Sequence, residues 1–203
     1  MSIEVKNLVK IFDEKRVIDD VSFTVEDGET LAIVGFSGSG KSTILKLICG
    51  LIEKDEGEII TSEGDIAMVF QYSALFDSLD VADNISFALR ERRELRNRYS
   101  EEELEKIVAQ KLELVGLKET GLDPISSTLI EDYIVRLKQE TNAASIVVTH
   151  QMSTITRTAN KIIMLYDGKI VFAGTPEEML RQDTPYTKQF VTASLEGPMK
   201  MIA

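Results

Sequence analysis

The stretch GFSGSGKST at residues 35–43 decides the fold, and it directly follows the apolar run TLAIV at residues 30–34. It fits the phosphate-loop pattern G-x-x-x-x-G-K-[ST], in which a strand runs into a glycine-rich loop and a helix follows. The apolar segment from Ile44 to Leu51 predicts that helix. The alternative is a glycine- and serine-rich turn without a ligand. It is disfavoured because strand, loop, Lys-Ser pair and helix occur in the required order.

The residue types in this loop suit a chain of phosphates. Glycines allow the backbone N–H groups to turn inward without Cβ clashes, and the helix behind the loop adds the partial positive charge of its N-terminus. In this interpretation Lys41 bridges the terminal phosphates and the hydroxyl of Ser42 ligates Mg²⁺. The candidate nucleotide-binding residues of the loop are Gly35, Phe36, Ser37, Gly38, Ser39, Gly40, Lys41, Ser42 and Thr43.

Bulk composition restricts the class of protein. The chain has 203 residues and is 43% hydrophobic, which suits one globular domain. Its net charge of −11 argues against a sequence-independent grip on nucleic acid. No apolar run approaches the ~18 residues of a membrane span, and the N-terminus lacks the apolar core of a signal peptide, so we expect a cytosolic protein. The single cysteine, Cys49, is predicted to be a small core residue.

The N-terminal half predicts mostly short strands. Loose alternation at residues 3–12 and clear alternation at residues 21–26 indicate an antiparallel β-layer ahead of the loop strand. Two more short strands are predicted at residues 58–60 and 66–70. A short helix is predicted at residues 81–89.

Helices follow in the second half of the chain. Ser100 and Glu103 form a capping box ahead of a predicted helix that ends at Leu117. A second helix is predicted to begin after the turn around Gly121, with Asp123 as its cap.

The last third of the chain predicts a strand, a hairpin and two short helices. Residues 145–149 form a continuous apolar run, as expected for a parallel strand covered on both faces, and His150 ends it. A hairpin is predicted at residues 161–173. The two helices open at Thr175 and at Pro185. We expect the tail at residues 196–203 to be loosely held.

A basic cluster, RERRELRNR at residues 90–98, interrupts the otherwise acidic chain. One interpretation is a solvated helix face or loop. The other is a docking edge for a partner or for anionic lipid headgroups.

Beyond the phosphate loop, further features occur in the order found in the nucleotide-binding subunits of ABC transporters, and the chain resembles that family over nearly its whole length. The resemblance implies that Phe12 stacks on the adenine ring, a contact that tolerates either purine. A core position for Phe12 is the alternative. The cofactors that the family implies are ATP and Mg²⁺.

The resemblance also implies roles for three further residues, Gln71, His150 and Asp123. Gln71 corresponds to a glutamine that reaches Mg²⁺ and the attacking water, and a neutral amide suits this because it both donates and accepts. His150 corresponds to a histidine that contacts the γ-phosphate. Asp123, in Gly121-Leu122-Asp123, corresponds to a loop that crosses between two subunits. The implied catalytic residues are Lys41, Gln71 and His150, and the implied metal ligands are Ser42 and Gln71.

The fold that the resemblance implies is an α/β P-loop NTPase of the ABC ATPase type. It has a three-layer core, an N-terminal antiparallel β-layer and a small helical subdomain. Residues 1–203 would form one nucleotide-binding domain, with the helical subdomain at about 72–117 and a C-terminal tail at 185–203. The implied partners are an integral-membrane permease and a second ATPase subunit, at the cytoplasmic face of the cell membrane.

Four short segments resemble the ATPases of Mla-type phospholipid transporters, where Mla stands for maintenance of lipid asymmetry. They are YSALFDSL at 72–79, GLDPISS at 121–127, Gln189-Phe190, and EGP at 196–198. The ALFDSL string at 74–79 is the most specific. This resemblance implies that ATP hydrolysis powers phospholipid movement between membranes.

The sequence departs from the family pattern at residues 118–121. Family members carry several dozen more residues there, including an LSGGQ-type signature and an apolar strand that ends in Asp-Glu. This chain contains neither an LSGG string nor an apolar run followed by Asp-Glu-Pro. An internal deletion, a degenerate gene copy and an error in the sequence would each produce this pattern. Two hypotheses follow: a transporter ATPase with impaired hydrolysis, or a non-hydrolysing nucleotide-binding module that docks on a permease or on an intact ATPase.

Overall fold

The computed structural model describes residues 2–62, 66, 78–92, 95, 98–114 and 142–200. The chain divides into two compact units, residues 1–68 with 134–203 and residues 69–133. The predicted strand at 66–70 (apart from Ile66, which lies in no strand) and the helix after Asp123 fall outside the described residues.

The first sheet of the larger unit is antiparallel, in the order β2-β1-β4. It consists of β1 (Ile3–Phe12), β2 (Lys15–Val25) and β4 (Glu56–Thr61). The predicted antiparallel β-layer is confirmed. Strand β2 begins earlier than predicted because Asp13 and Glu14 both adopt positive φ, at 46° and 66°, and turn the chain straight back along β1.

The second sheet of this unit has the order β5-β3-β6-β7. Strand β3 (Thr30–Val34) is buried throughout and pairs in parallel with β5 (Ser145–Val148) and with β6 (Lys161–Tyr166). Strand β7 (Lys169–Gly174) pairs antiparallel with β6, which confirms the predicted hairpin. The carboxyl ends of the three parallel strands therefore meet at one edge of the sheet, where ligands bind in such folds.

The strand at 145–148 is confirmed, but the prediction that both of its faces are covered is wrong. All four of its residues are half-buried. Among the described residues β5 pairs with β3 alone, so it lies at the edge of the sheet there. An edge strand keeps part of its surface in solvent, even when its sequence is continuously apolar.

Helix α1 (Lys41–Ile48) begins earlier and ends earlier than the predicted range of Ile44 to Leu51. Gly50 adopts a φ of 67°, and the amides of Gly50 and Leu51 donate to the carbonyls of Leu47 and Lys46. This pair of bonds is the Schellman arrangement that ends a helix. Cys49 is the C-cap and is half-buried, so it lies at the margin of the core and not inside it as predicted.

The smaller unit contains α2 (Val81–Glu91) and α3 (Glu101–Leu114). The predicted capping box of α3 is confirmed, because Ser100 N donates to the Glu103 carboxylate at 2.8 Å and Glu103 N donates to Ser100 Oγ at 3.4 Å. The guanidinium of Arg90 donates to both carboxylate oxygens of Glu101 at 2.8 and 2.7 Å. Arg90, the first member of the basic cluster, therefore ties α2 to α3.

In the described residues after β5, the larger unit has three short helices: α4 (Met152–Thr158), α5 (Pro176–Arg181) and α6 (Pro185–Val191). Both predicted helix starts are confirmed. Thr175 and Thr184 each cap a helix through the hydroxyl, and a proline occupies the first turn.

Hydrogen bonds to side chains hold the C-terminal segment in place, so the prediction of a loosely held tail is wrong for residues 196–200. The side chain of Gln189 donates to the carbonyl of Met199 and accepts from its amide, both at 2.8 Å. Met199 is 1% exposed, and the amide of Lys200 donates to the Tyr166 hydroxyl at 3.0 Å. The glutamine amide satisfies two buried backbone groups that would otherwise be left without partners.

Side chains of β3 alternate between two apolar clusters. Leu31 and Ile33 face a cluster that includes residues of the antiparallel sheet and of α1. Ala32 and Val34 face a second cluster formed by the C-terminal helices and Met199. The antiparallel β-layer, the central sheet and the helices thus form the three predicted layers.

Candidate functional site

The phosphate loop leaves β3 at the edge where the parallel strands end. Gly35, Gly38 and Gly40 have φ values of 144°, 79° and 102°, which side-chain-bearing residues rarely adopt. A Cβ on Gly40 would also lie 2.6 Å from Ile18 Cδ1 and 2.9 Å from the Val17 carbonyl oxygen. Strand β2 therefore packs against the loop at Gly40, and only glycine fits at residue 40.

The ammonium of Lys41 lies inside the loop. Its Nζ donates to the carbonyl oxygens of Gly35 at 2.9 Å and Phe36 at 2.8 Å, and lies 3.4 Å from Ser39 Oγ. The side chain is half-buried, and this burial lowers the pKa of Lys41 because water no longer solvates the charged form fully. A phosphate chain in the loop would supply the negative charge that this partly desolvated cation lacks.

The first turn of α1 offers further groups to an anion. Gly40 is the N-cap and has no side chain with which to cap the helix, so the leading amides are left for solvent or a ligand. Ser42 is exposed in this turn. Its hydroxyl is a ligand type that Mg²⁺ accepts beside phosphate oxygens and water. The residues present therefore fit a nucleotide with a magnesium ion.

Phe36 contributes to the loop through its backbone, because its ring packs away from the loop. The ring centroid lies 6.3 Å from that of Phe190 in α6, with 56° between the ring planes. Phe36 belongs to the cluster that contains the C-terminal helices. The loop is thereby attached to the end of the chain.

Phe12 lies at the end of β1 and is 43% exposed, so the alternative of a core aromatic is wrong. The ammonium of Lys10 lies 5.1 Å from the centroid of the ring. An exposed aromatic ring of this kind is a surface on which a base can stack.

His150 follows β5 at the same sheet edge as the phosphate loop. Ile33 of β3 pairs with Val148 of β5, so Gly35 and His150 each come two residues after a matched pair. The side chain of His150 is exposed. The strand register thus places the histidine beside the start of the loop.

Two predicted site residues, Gln71 and Asp123, lie outside the described residues, and so does the departure at 118–121. Their roles remain predictions.

Two sets of side-chain contacts on β1 and β2 were not predicted from the sequence. Asp19 of β2 pairs with Arg16 at 2.8 Å and with Lys169 at 3.1 Å, and its amide donates to the Gly168 carbonyl. These partners lower the pKa of Asp19, first through the bond from Arg16. The second missed contact is that of Lys10 with Phe12, and the spacing of two residues along one strand was its only signal in the sequence.

Within the part of the chain that the structure describes, no helix combines the length and apolar character that crossing a bilayer requires.

Comparison with known proteins matches residues 18–132 to the family model described as ABC transporter. The protein TRIGALACTOSYLDIACYLGLYCEROL 3, chloroplastic, of Arabidopsis thaliana is 34% identical, with 98% of this chain and 75% of that protein covered. The intermembrane phospholipid transport system ATP-binding protein MlaF of Haemophilus influenzae is 30% identical, with coverage of 98% and 93%. The phosphonates import ATP-binding protein PhnC of Treponema denticola is 30% identical, and both chains are covered completely.

The alignment with the MlaF protein spans 249 positions, although this chain has 203 residues, so several dozen positions of that relative face gaps in this chain. This agrees with the internal truncation inferred from the sequence.

A solved structure confirms the fold. The dimeric structure of a post-hydrolysis state of the ATP-binding cassette MJ0796 bound to ADP and Pi matches with a TM-score of 0.71 and 22% identity, covering 86% of this chain and 98% of that one. The family model covers more than half of the sequence, and the MlaF protein is matched over nearly its whole length. The chain therefore belongs to the ABC transporter family, as an ATP-binding subunit.

Proposed function

We propose that this subunit binds ATP with Mg²⁺ on residues 35–43 and couples nucleotide binding to phospholipid transport through a membrane permease. The main support for this proposal is the half-buried ammonium of Lys41, which lies among loop carbonyls at the N-terminus of α1. A cation, free helix amides and a glycine loop converge there on a volume that suits a phosphate chain.

Each residue of the site has a role in this proposal. Lys41 bridges the terminal phosphates, Ser42 faces the magnesium ion, and Phe12 stacks on the base. His150 contacts the γ-phosphate from the end of β5. When bound, the magnesium ion neutralises phosphate charge.

The family pattern extends the proposal to two residues outside the described part of the chain. Gln71 would reach the metal and the attacking water, and Asp123 would lie at the contact with a second ATPase subunit.

The choice of phospholipid rests on the Mla-type segments and on the relatives. One relative is named for intermembrane phospholipid transport and another for a galactolipid, whereas a third is named for phosphonate import. The string ALFDSL at 74–79 favours the lipid class over the phosphonate class. The subunit would act as a dimer on a permease, at the cytoplasmic face of the membrane.

The missing segment bears on hydrolysis. A carboxylate that polarises the attacking water contributes about 10² to 10⁴ in rate, and preorganised donors from an opposing subunit add more. This chain carries neither an LSGGQ-type string nor an apolar run followed by Asp-Glu-Pro. The second candidate function is therefore a nucleotide-binding module that does not hydrolyse ATP.

One assay on the purified chain separates the two functions. Phosphate release from ATP and Mg²⁺ is followed for the wild type and for Lys41→Ala, while nucleotide binding is measured in parallel. Binding with hydrolysis at least about 10²-fold below a complete family member supports the impaired ATPase if Lys41→Ala abolishes the residual rate. Binding with no release above background supports the module, and absence of binding contradicts both.

A further inference from the structure

The ring of Phe12 is approached on one side by a lysine from its own strand. The Nζ of Lys10 lies over the ring, 5.1 Å from its centroid, within the range of a cation–π contact. The side chain of Lys10 is only 12% exposed, whereas Phe12 is 43% exposed. The lysine therefore lies over one face of the ring, and part of the ring remains exposed to solvent.

Asp55, just before β4, holds Lys10 in this position. Its Oδ2 lies 3.1 Å from Lys10 Nζ and accepts a 2.7 Å hydrogen bond from the amide of Ile11. The amide of Asp55 donates to the carbonyl of Val9 at 3.0 Å. These contacts fix the carboxylate against the backbone of β1, and the carboxylate in turn fixes the ammonium.

We propose that Lys10 is a positioning residue for the nucleobase. It closes one face of Phe12, so the base stacks on the other face, and it holds the ring still before the nucleotide arrives. A ring that is already ordered loses less conformational freedom on binding. This inference rests on the proposed binding of a nucleotide whose base stacks on Phe12.

The test compares two ligands that differ in the base. ATP and inorganic tripolyphosphate, each with Mg²⁺, are titrated calorimetrically into the full chain, since only ATP carries a base that can reach Phe12. The variants are Phe12→Ala, Lys10→Met, Lys10→Arg and Asp55→Asn; the last keeps an acceptor for Ile11 N but loses the charge. Lys6→Met is the matched control, because it removes a β1 lysine that pairs with Glu4.

We expect the substitutions at Lys10 and Asp55 to change the affinity for ATP and not the affinity for tripolyphosphate. Lys10→Met weakens ATP binding about two- to fivefold, because a ring that is no longer held must be ordered when the base binds, and it leaves tripolyphosphate binding unchanged. Lys10→Arg restores wild-type affinity because the cation remains. Asp55→Asn gives a smaller loss than Lys10→Met, and Lys6→Met binds both ligands like the wild type.

Other results would overturn the inference in distinguishable ways. If Phe12→Ala weakens ATP binding and Lys10→Met does not, Lys10 has no positioning role and the proposed function stands. If Lys10→Met weakens ATP and tripolyphosphate equally, its effect is one of overall charge and the inference is wrong. If Phe12→Ala has no effect on ATP binding, the base does not stack on that ring, and the inferred positioning role of Lys10 is wrong. A wild-type chain that binds neither ligand contradicts the proposed function itself.

Discussion

The rings of Phe36 and Phe190 pack together with 6.3 Å between their centroids, although 154 positions separate them in the chain numbering. Phe36 is the second residue of the phosphate loop, and its carbonyl accepts a hydrogen bond from Lys41. Phe190 lies in α6, beside the glutamine that holds Met199. The C-terminal segment therefore supports the loop whose carbonyls hold the lysine.

Replacing Phe190 tests this support. Phe190→Ala is expected to lower the free energy of unfolding by about 2 to 4 kcal/mol, because it removes a large ring from a packed cluster. It is also expected to weaken ATP binding, because the loop loses its contact with α6. Denaturant unfolding and calorimetric titration with ATP measure the two effects.

The matched control is Phe172→Ala, which removes a ring from the same cluster but on β7. It should lower stability and leave ATP affinity of the folded protein unchanged. Equal loss of affinity in the two variants would show that the cluster acts only through general stability.

The lowered pKa of Lys41 predicts a pH dependence of nucleotide binding. Burial lowers this pKa in the free chain, and phosphate charge raises it in the complex. Affinity should therefore fall as pH rises through the pKa of Lys41 in the free chain, which lies below that of an ordinary lysine.

Proton uptake is the measurable sign of this shift. Titrations with ATP at alkaline pH, in two buffers with different ionisation enthalpies, should show that binding takes up a proton, and Lys41→Met should abolish the uptake. Wild-type binding without proton uptake across the alkaline range would contradict a lysine whose pKa rises on binding.

Gly40 is predicted to be irreplaceable in the loop. Gly40→Ala combines a φ of 102° with contacts to Ile18 and to the Val17 carbonyl, and we expect a loss of about 2 to 3 kcal/mol together with weaker ATP binding. Gly50→Ala is the control, because its φ is 67° and nothing lies within 4 Å of the added Cβ. It should cost about 1 to 2 kcal/mol and leave binding intact. Thermal unfolding and ATP titration of both variants provide the check, and equal effects would argue against the contact with β2.

Thr30 offers a stabilising substitution. Within the described part of the chain its buried hydroxyl has no hydrogen-bond partner, which costs free energy in the folded state. Thr30→Val keeps the β-branched shape and removes the hydroxyl, so it should raise the free energy of unfolding by about 1 kcal/mol. A lower midpoint in urea would indicate that the hydroxyl is bonded in solution.

Local patterns predicted the loop, β3, the C-terminal hairpin and the helix caps, because each depends on residues a few positions apart. The first residue of α1 could not be predicted in this way, since its N-cap is a glycine without a side-chain signal. The contact of Phe36 with Phe190 and the grip of Gln189 on Met199 join segments that no periodicity connects. The tail was predicted to be loose because terminal residues are poorly ordered unless contacts hold them, and the bond between Gln189 and Met199 is such a contact.

The same distinction between local pattern and tertiary contact applies to the candidate site. The identity of the phosphate-loop residues follows from spacing alone. The exposure of Phe12 and the cation beside it follow from tertiary structure, because a strand residue can face either the core or solvent.

The proposed function depends on a triphosphate bound against the loop amides and Lys41, and calorimetric titration of the folded chain with ATP and Mg²⁺ tests this most directly. We predict saturable binding that Lys41→Ala weakens at least about tenfold, because a hydrogen bond to a charged group contributes about 1.5 to 3 kcal/mol. Binding of equal strength in the wild type and in Lys41→Ala, or no heat of binding in a folded wild-type chain, would contradict the account.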